Sequence, residues 1–361
     1  MRKSYLDNIR WITIVLVVIY HVIYIFNGVQ PYGVIGPFND VQYQDSIQYL
    51  LYPWFMVLLF VVSGMTSRYY LERHTDKEFI KSRTRKLLVP GTAGVLVFGW
   101  LQGYYNMQIS NAFETLNLET MPKPILFLVM ALSGTGVLWF VQILWAFSML
   151  LVLLRRIEKD MLYKAGAKCG IVVLLLFGIL IYLSAQVLNT PMITVYRFGI
   201  YGLSYFIGYF VLAHEEVTDR LAKFWLPLLF CAIGVGIAYT GIYFGENYAV
   251  EPFINNVLAC TYAWLMTLAV IASMKRFADK ETAVTKWMSK ECWGLYVFHY
   301  FPLSMTAWYL HLYAPEMPGV FHYLLTGIAG FAGAILLYEI ISRIPVLRWC
   351  VLGIKKERTN V

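Results

Sequence analysis

Ten stretches of this chain are apolar for long enough to cross a hydrocarbon core of about 30 Å, which takes roughly 20 helical residues each. They run over residues 11–28, 46–67, 87–104, 134–154, 169–187, 197–213, 225–244, 253–274, 292–312 and 320–341. The expected fold is therefore all-α: a polytopic transmembrane helical bundle of about ten spans. Composition agrees. Of 361 residues, 59% are hydrophobic and 14% charged, against roughly 25% charged in soluble domains. A chain that cannot cover itself with charge must face lipid. An aromatic content of 17% suits helices whose Trp and Tyr gather at the headgroup level.

Charge placement tests the span count independently, because Lys and Arg concentrate in cytoplasmic loops. With the N-terminus inside, all but two of the 29 basic residues fall on the cytoplasmic side. They form groups at Arg2–Arg10, Arg68–Lys86, Arg155–Lys168, Arg220–Lys223, Lys275–Lys290 and Arg343–Arg358. Only Lys123 and Arg197 remain outside or at the outer boundary. Both termini are thus expected in the cytoplasm. The net charge of +8 is charge of that face, which attracts anionic lipid, and no nucleic-acid partner is implied. The basic start followed by an apolar stretch lacks a small-residue cleavage site and reads as a retained first helix. The five cysteines show no paired spacing and read as small hydrophobes rather than disulfides or metal ligands. Residues 1–361 are expected to form one integral-membrane domain with no soluble domain appended. The apolar piece 125–133 reads as interfacial or re-entrant, and 68–86 as a short amphipathic helix.

Ionisable groups inside a membrane are costly and are functional candidates by default. His21 lies deep in the first span, eleven residues after Arg10. Eleven helical residues rise about 16.5 Å and turn roughly 20° past three full turns, so the two share a face. The plainer alternative is a snorkelling Arg and a structural His bonded to a carbonyl. Arg83, Arg85 and Lys86 end a cationic run where the third span begins. They read equally well as a phosphate site or as a topology signal touching lipid headgroups. Ser63-Gly64 ends the second span with small residues that let helices approach. Trp139 and Gln142 place an aromatic and an amide near the outer face. Tyr296-Val-Phe-His299 sits in the ninth span, with His299 either a second functional His or a core His paired to another helix. Glu339 is expected to pair with Arg343. His311, His322, Glu246, Glu251 and Arg197 are expected to be solvated near the outer face.

In this order, these landmarks resemble the acyltransferase-3 family of integral-membrane O-acyltransferases. The resemblance rests on Leu6-Asp7-Asn8-Ile9-Arg10 with ten residues before His21, on the Phe-rich stretch from Phe60 to Gly64, and on the basic segment Arg83–Pro90. Leu138-Trp139-Phe140 and Tyr296–His299 complete it. Two positions depart from the family pattern. The basic segment has Arg83 and Lys86, with Arg85 added, where the family often has Arg-x-x-Arg, and Val137 stands where a His often precedes Leu-Trp-Phe. Within the family, the basic segment and compact size are most similar to the glucan-succinylating branch.

The resemblance implies transfer of an acyl group, of acetyl or succinyl type, from cytoplasmic acyl-CoA to a hydroxyl of a glycan or cell-envelope carbohydrate at the outer face. Acyl-CoA is then a co-substrate rather than a resident cofactor, no metal is needed, and the setting is a bacterial cytoplasmic membrane. In that scheme Arg10, Arg83, Arg85 and Lys86 hold the CoA phosphates. His21 is the general base or carries the acyl group, and Ser63, Trp139, Gln142, Tyr296 and His299 meet the substrates. The competing expectation is a carrier of glycans or small solutes, with His21 and His299 as proton-relay groups.

Overall fold

A computed structural model describes residues 3–30, 33–190 and 195–355, so Arg2, Lys356 and Arg358 of the charge pattern expected in the cytoplasm lie outside the described residues. Among the described residues the chain is helical, with a single isolated bridge between Asn189 and Arg197 and no strand. Seven helices are long and apolar enough to cross a membrane: Ser4–Tyr24, Tyr43–Leu71, Asp76–Ile109, Gly136–Glu158, Trp225–Tyr243, Val257–Phe277 and Gly319–Arg343. Each overlaps one expected span. The stretches 169–187 and 197–213 are shorter helices, Ile171–Ser184 and Phe198–Leu212. The stretch 292–312 is divided between Ala283–Phe298 and Tyr300–Tyr313, with the break at His299. Pro302 explains the break: it has no N–H to return to the carbonyl of Phe298, four residues back. Large apolar side chains such as Leu176, Ile179, Phe230, Ile237, Leu324 and Ile328 lie exposed along these helices. Water would not tolerate such faces without aggregation, and lipid does.

The chain divides into two compact units. The first comprises Met1–Leu16, Ser46–Ile80 and Ala146–Lys290. Its axis is the helix Ser46–Leu71, which packs against Phe198–Ile207 and Val257–Phe277. The small residue after Ser63 serves this packing. A Cβ on Gly64 would run into the carbonyl of Tyr205, and one on Gly208 into the carbonyl of Val61. The two backbones therefore touch, as small residues permit between membrane helices.

The start of the chain is tied down in the same unit. Asn8 donates its amide to the carbonyls of Ala278 (2.7 Å) and Lys280 (3.1 Å), and Lys3 pairs with Glu215. Lys275 reaches Asp219 at 3.1 Å and Glu215 at 3.4 Å. Lys3 and Lys275 hold the Glu215 carboxyl below its usual range, the hydrogen bond from Lys3 being the largest cause. Arg68 lies 3.5 Å above the Tyr163 ring and pairs with Asp160 at 2.7 Å. Arg155 pairs with Asp76 at 2.6 Å. Of the segment 68–86 expected as a short amphipathic helix, residues 68–71 finish the helix Ser46–Leu71, and Asp76–Arg83 forms a short helix with Phe79 buried. Arg197 differs from the expectation of a solvated side chain: it is buried and donates to the carbonyl of Ile254 at 3.3 Å. Its five N–H donors let it serve a loop backbone that has left helical pairing.

The second unit comprises Val17–Asp45, Lys81–Trp145 and Glu291–Val361. Trp100–Ile109 and Lys123–Ser133 run antiparallel with their backbones in contact. A Cβ on Gly103 would overlap the Met130 carbonyl, and one on Gly134 would overlap the Gly99 carbonyl. The spacing Gly99-x-x-x-Gly103 is what permits this crossing. Tyr300–Tyr313 packs on Gly319–Arg343 and on Trp100–Ile109. The backbone over Thr84–Leu88 and Pro90–Gly99 is π-helical, a form that often marks functional sites. The short helix Pro345–Leu352 packs on Pro90–Gly99. His322, expected to be solvated, is buried against the rings of Phe26 and Phe38 at 5.9 and 4.9 Å. Phe26 belongs to a small core with Val22, Ile25, Leu303 and Ala307, and Tyr323 near the start of Gly319–Arg343 packs against it.

Candidate functional site

The first helix is unbroken from Ser4 to Tyr24 and delivers His21 into the second unit. There the break between Ala283–Phe298 and Tyr300–Tyr313 brings His299 against it. The two imidazole centroids are 5.1 Å apart, and His299 Nε2 is 3.2 Å from His21 Nδ1. His299 has no exposed surface, and His21 is half-buried.

The neighbours of each ring nitrogen assign the protons. His299 Nδ1 faces the carbonyl oxygens of Leu295 (2.8 Å) and Tyr296 (3.0 Å). Carbonyls only accept, so this nitrogen carries the hydrogen and, in the neutral ring, Nε2 keeps its lone pair. His21 Nδ1 faces the carbonyl of Val17 at 2.8 Å and that lone pair at 3.2 Å, so it too carries a hydrogen. The lone pair of His21 is therefore on Nε2. His21 is bonded to a backbone carbonyl, as the plain reading expects, and still presents a bare basic nitrogen. A proton taken there makes an imidazolium whose Nδ1–H points at the lone pair of His299. The arrangement is that of a base held in one tautomer by a second group.

Three irregular segments meet beside this pair. One is the break at His299. The second is the turn Gly134–Leu138, which separates Lys123–Ser133 from Trp139–Glu158. The third is the π-helical stretch Pro90–Gly99. Backbone that departs from helix at membrane depth is tolerated where protein buries it or where it lines a cavity. Both conditions hold. Tyr296 donates its hydroxyl to the carbonyl of Val137, and Trp293 stacks on Tyr296 at 5.6 Å. A narrow cleft lies between the segments, with walls that include Gly94, Gly99, Gly134, Gly136, Phe98 and Tyr300. The Tyr300 ring packs edge-on against His21 at 4.9 Å, so the cleft is separated from the imidazole by one ring.

The remaining sequence candidates fall as follows. His21, His299, Tyr296, Trp139, Gln142, Arg83, Arg85 and Lys86 belong to the second unit, Arg10 and Ser63 to the first. Arg10 stands eleven residues before His21 on the same helix and pairs with Asp7 at 2.9 Å. Gln142 gives its amide N–H to the carbonyl of Gly91 at 2.6 Å, which braces the π-helical stretch. Trp139 opens its helix beside Phe140. Arg85 is half-buried, and its Nε has no partner among the described residues. The backbone there is met by the turn after Pro345–Leu352, where Gly353 has φ +65° and a Cβ would collide with the Arg85 carbonyl. Tyr300 and Gln102, which line the cleft, were not singled out by sequence reasoning. Pro302 was the available signal for the first, as a mark of a broken helix. No local pattern distinguishes Gln102 from any other polar residue in a span.

A helical multi-pass membrane protein with a histidine pair, one ring buried and one half-buried, beside a glycine-walled cleft is what the fold and site define. The family profile described as "Acyltransferase domain" (Acyl_transf_3) matches residues 3–339, running through both units. The chain belongs to the acyltransferase-3 family, and is accordingly a membrane acyltransferase. No curated protein and no solved structure matches it.

Proposed function

We propose that this protein is an O-acyltransferase that moves an acetyl- or succinyl-type group from cytoplasmic acyl-CoA to a hydroxyl of a cell-envelope glycan at the outer face of a bacterial cytoplasmic membrane. The observation that carries this reading is the histidine pair, because a bare Nε2 in a fixed tautomer is what a general base needs. His21 Nε2 takes the proton of the acceptor hydroxyl as its oxygen attacks the thioester carbonyl. The tetrahedral adduct then collapses, the C–S bond breaks, and the departing CoA sulfur receives the proton from His21. His299 accepts the Nδ1–H of His21 throughout and favours the imidazolium formed between these steps. A site buried in protein keeps the thioester from water. A succinyl donor fits the resemblance to the glucan-succinylating branch.

Arg83, Arg85 and Lys86 are the proposed phosphate contacts, supported by the unpartnered Arg85 Nε and by a position just before the stretch Pro90–Gly99, which contributes to the cleft wall. Neutralising Arg85 and Lys86 together is expected to raise KM for acyl-CoA about 10-fold or more while kcat changes little, since charged contacts are each worth about 1.5–3 kcal/mol. An unchanged KM in a correctly inserted double variant assigns the cluster to topology and lipid alone.

The same proposal requires ten spans with both termini inside. Single cysteines at Asn111 and Asn247, in a background without the native five, are then labelled by an impermeant reagent applied to intact cells. Labelling of either only after permeabilisation reverses the orientation.

A further inference from the structure

Gln102 is 5% exposed and lines the cleft, where a Cβ on Gly136 would sit 3.8 Å from both its Cγ and the Tyr300 ring. Its amide orientation is dictated by two neighbours. Asn106 donates its Nδ2 to the carbonyl of Ser133 at 2.9 Å, so its Oδ1 faces Gln102 as an acceptor, 2.8 Å from Nε2. Ser304 donates its hydroxyl to the carbonyl of Tyr300, which leaves its Oγ lone pair for Gln102 Nε2 at 2.9 Å. Both N–H groups of Gln102 are thus spent as donors. Its Oε1 is buried and has no donor. Among the described residues lining the cleft, it is the one buried side-chain atom left in that condition. A pinned amide with a buried, unmet acceptor oxygen is costly to keep, and an unmet group of this kind calls for a ligand donor.

We propose that Gln102 Oε1 accepts the N–H of a secondary amide in the donor's pantetheine arm, and so sets the register of the thioester carbonyl against His21. The proposal rests on the acyl-CoA reading above. The cleft's walls select the ligand class. Glycines at four wall positions and the rings of Phe98 and Tyr300 make the walls smooth and mostly apolar, which suits a slender chain of methylenes and flat amides. A sugar ring, with several hydroxyls to satisfy, would meet mostly apolar walls. A secondary amide brings a single N–H, which matches the single unmet oxygen. The chain slides in along the glycine backbone, and the hydrogen bond stops it at one position.

The test compares acyl-CoA with an analogue in which oxygen replaces the N–H of the amide nearest the sulfur, leaving every other atom in place. The purified full chain is expected to use acyl-CoA about 10- to 100-fold better in kcat/KM, the range for one buried hydrogen bond. In Gln102→Met that preference should fall to within about threefold, and a monodisperse elution profile in detergent with an unchanged thermal midpoint shows that the variant is folded. Ser304→Ala, a smaller change that unpins the amide, should shrink the same ratio. Equal use of the two donors by the wild type overturns the proposal, as does an undiminished preference in Gln102→Met or Ser304→Ala. If the wild type leaves acyl-CoA itself untouched, the donor reading fails and takes this inference with it.

Discussion

His21→Ala is expected to lower kcat for acyl transfer by about 10²–10⁴-fold, the usual worth of general-base assistance, while affinity for acyl-CoA stays within about threefold. The imidazole contributes to the site through Nε2. Its other nitrogen is held by the Val17 carbonyl and His299. Steady-state kinetics with separate donor-binding measurements check this. On the resemblance's reading of Arg10 as a phosphate contact, Arg10→Ala should raise KM for the donor with a smaller change in kcat, because such a contact acts on binding before it acts on chemistry. A His21→Ala enzyme that keeps more than about a tenth of wild-type turnover contradicts the role given to His21. His299 would then be the next candidate base, since its Nε2 already carries a lone pair.

Gly134→Val is expected to prevent recovery of folded protein. At this crossing a Cβ would overlap the carbonyl of Gly99 and come within 2.9 Å of the Gly103 nitrogen. Both obstacles are backbone atoms inside helices, so neither can swing aside. Overpacking of ordinary cores costs about 1–3 kcal/mol, and a backbone collision should exceed that, in a fold whose total margin is on the order of 5–15 kcal/mol. Gly234→Val is the matched control: it lies on the membrane helix Trp225–Tyr243 and meets nothing within 4 Å. Monodisperse yield in detergent and thermal midpoint are the measurements. If the two variants behave alike, the glycine crossing is not what holds Trp100–Ile109 against Lys123–Ser133.

Seven of the ten expected spans were legible because lipid demands long apolar runs, and runs of that length are rare for any other reason. Local pairs were legible as well. Glu339 and Arg343, four residues apart on one helix, meet at 3.0 Å. What could not be read is which apolar face meets protein and which meets lipid. In a soluble helix the two faces differ in polarity, whereas here both are hydrophobic, and the periodicity that would orient a helix is weak. His322 and Arg197 were misplaced for that reason, as polar residues near a span end look solvated until a neighbouring helix covers them. His299 was seen as a candidate, but its pairing with His21, 278 positions away, is a fact of packing. Gln102 is the extreme case, since its significance lies in which of its atoms has no partner, and only coordinates supply that.

The central claim is acyl transfer by His21, and its most direct test is a transfer assay with the full chain in lipid vesicles. Acyl-CoA labelled in the acyl group is added with envelope glycan as acceptor, and both the glycan label and the free thiol are followed. The account predicts base-labile label on glycan hydroxyls, released thiol equal in amount to it, and neither product with His21→Ala. A wild-type protein that consumes none of a range of acyl-CoAs and leaves the glycan unlabelled would contradict it.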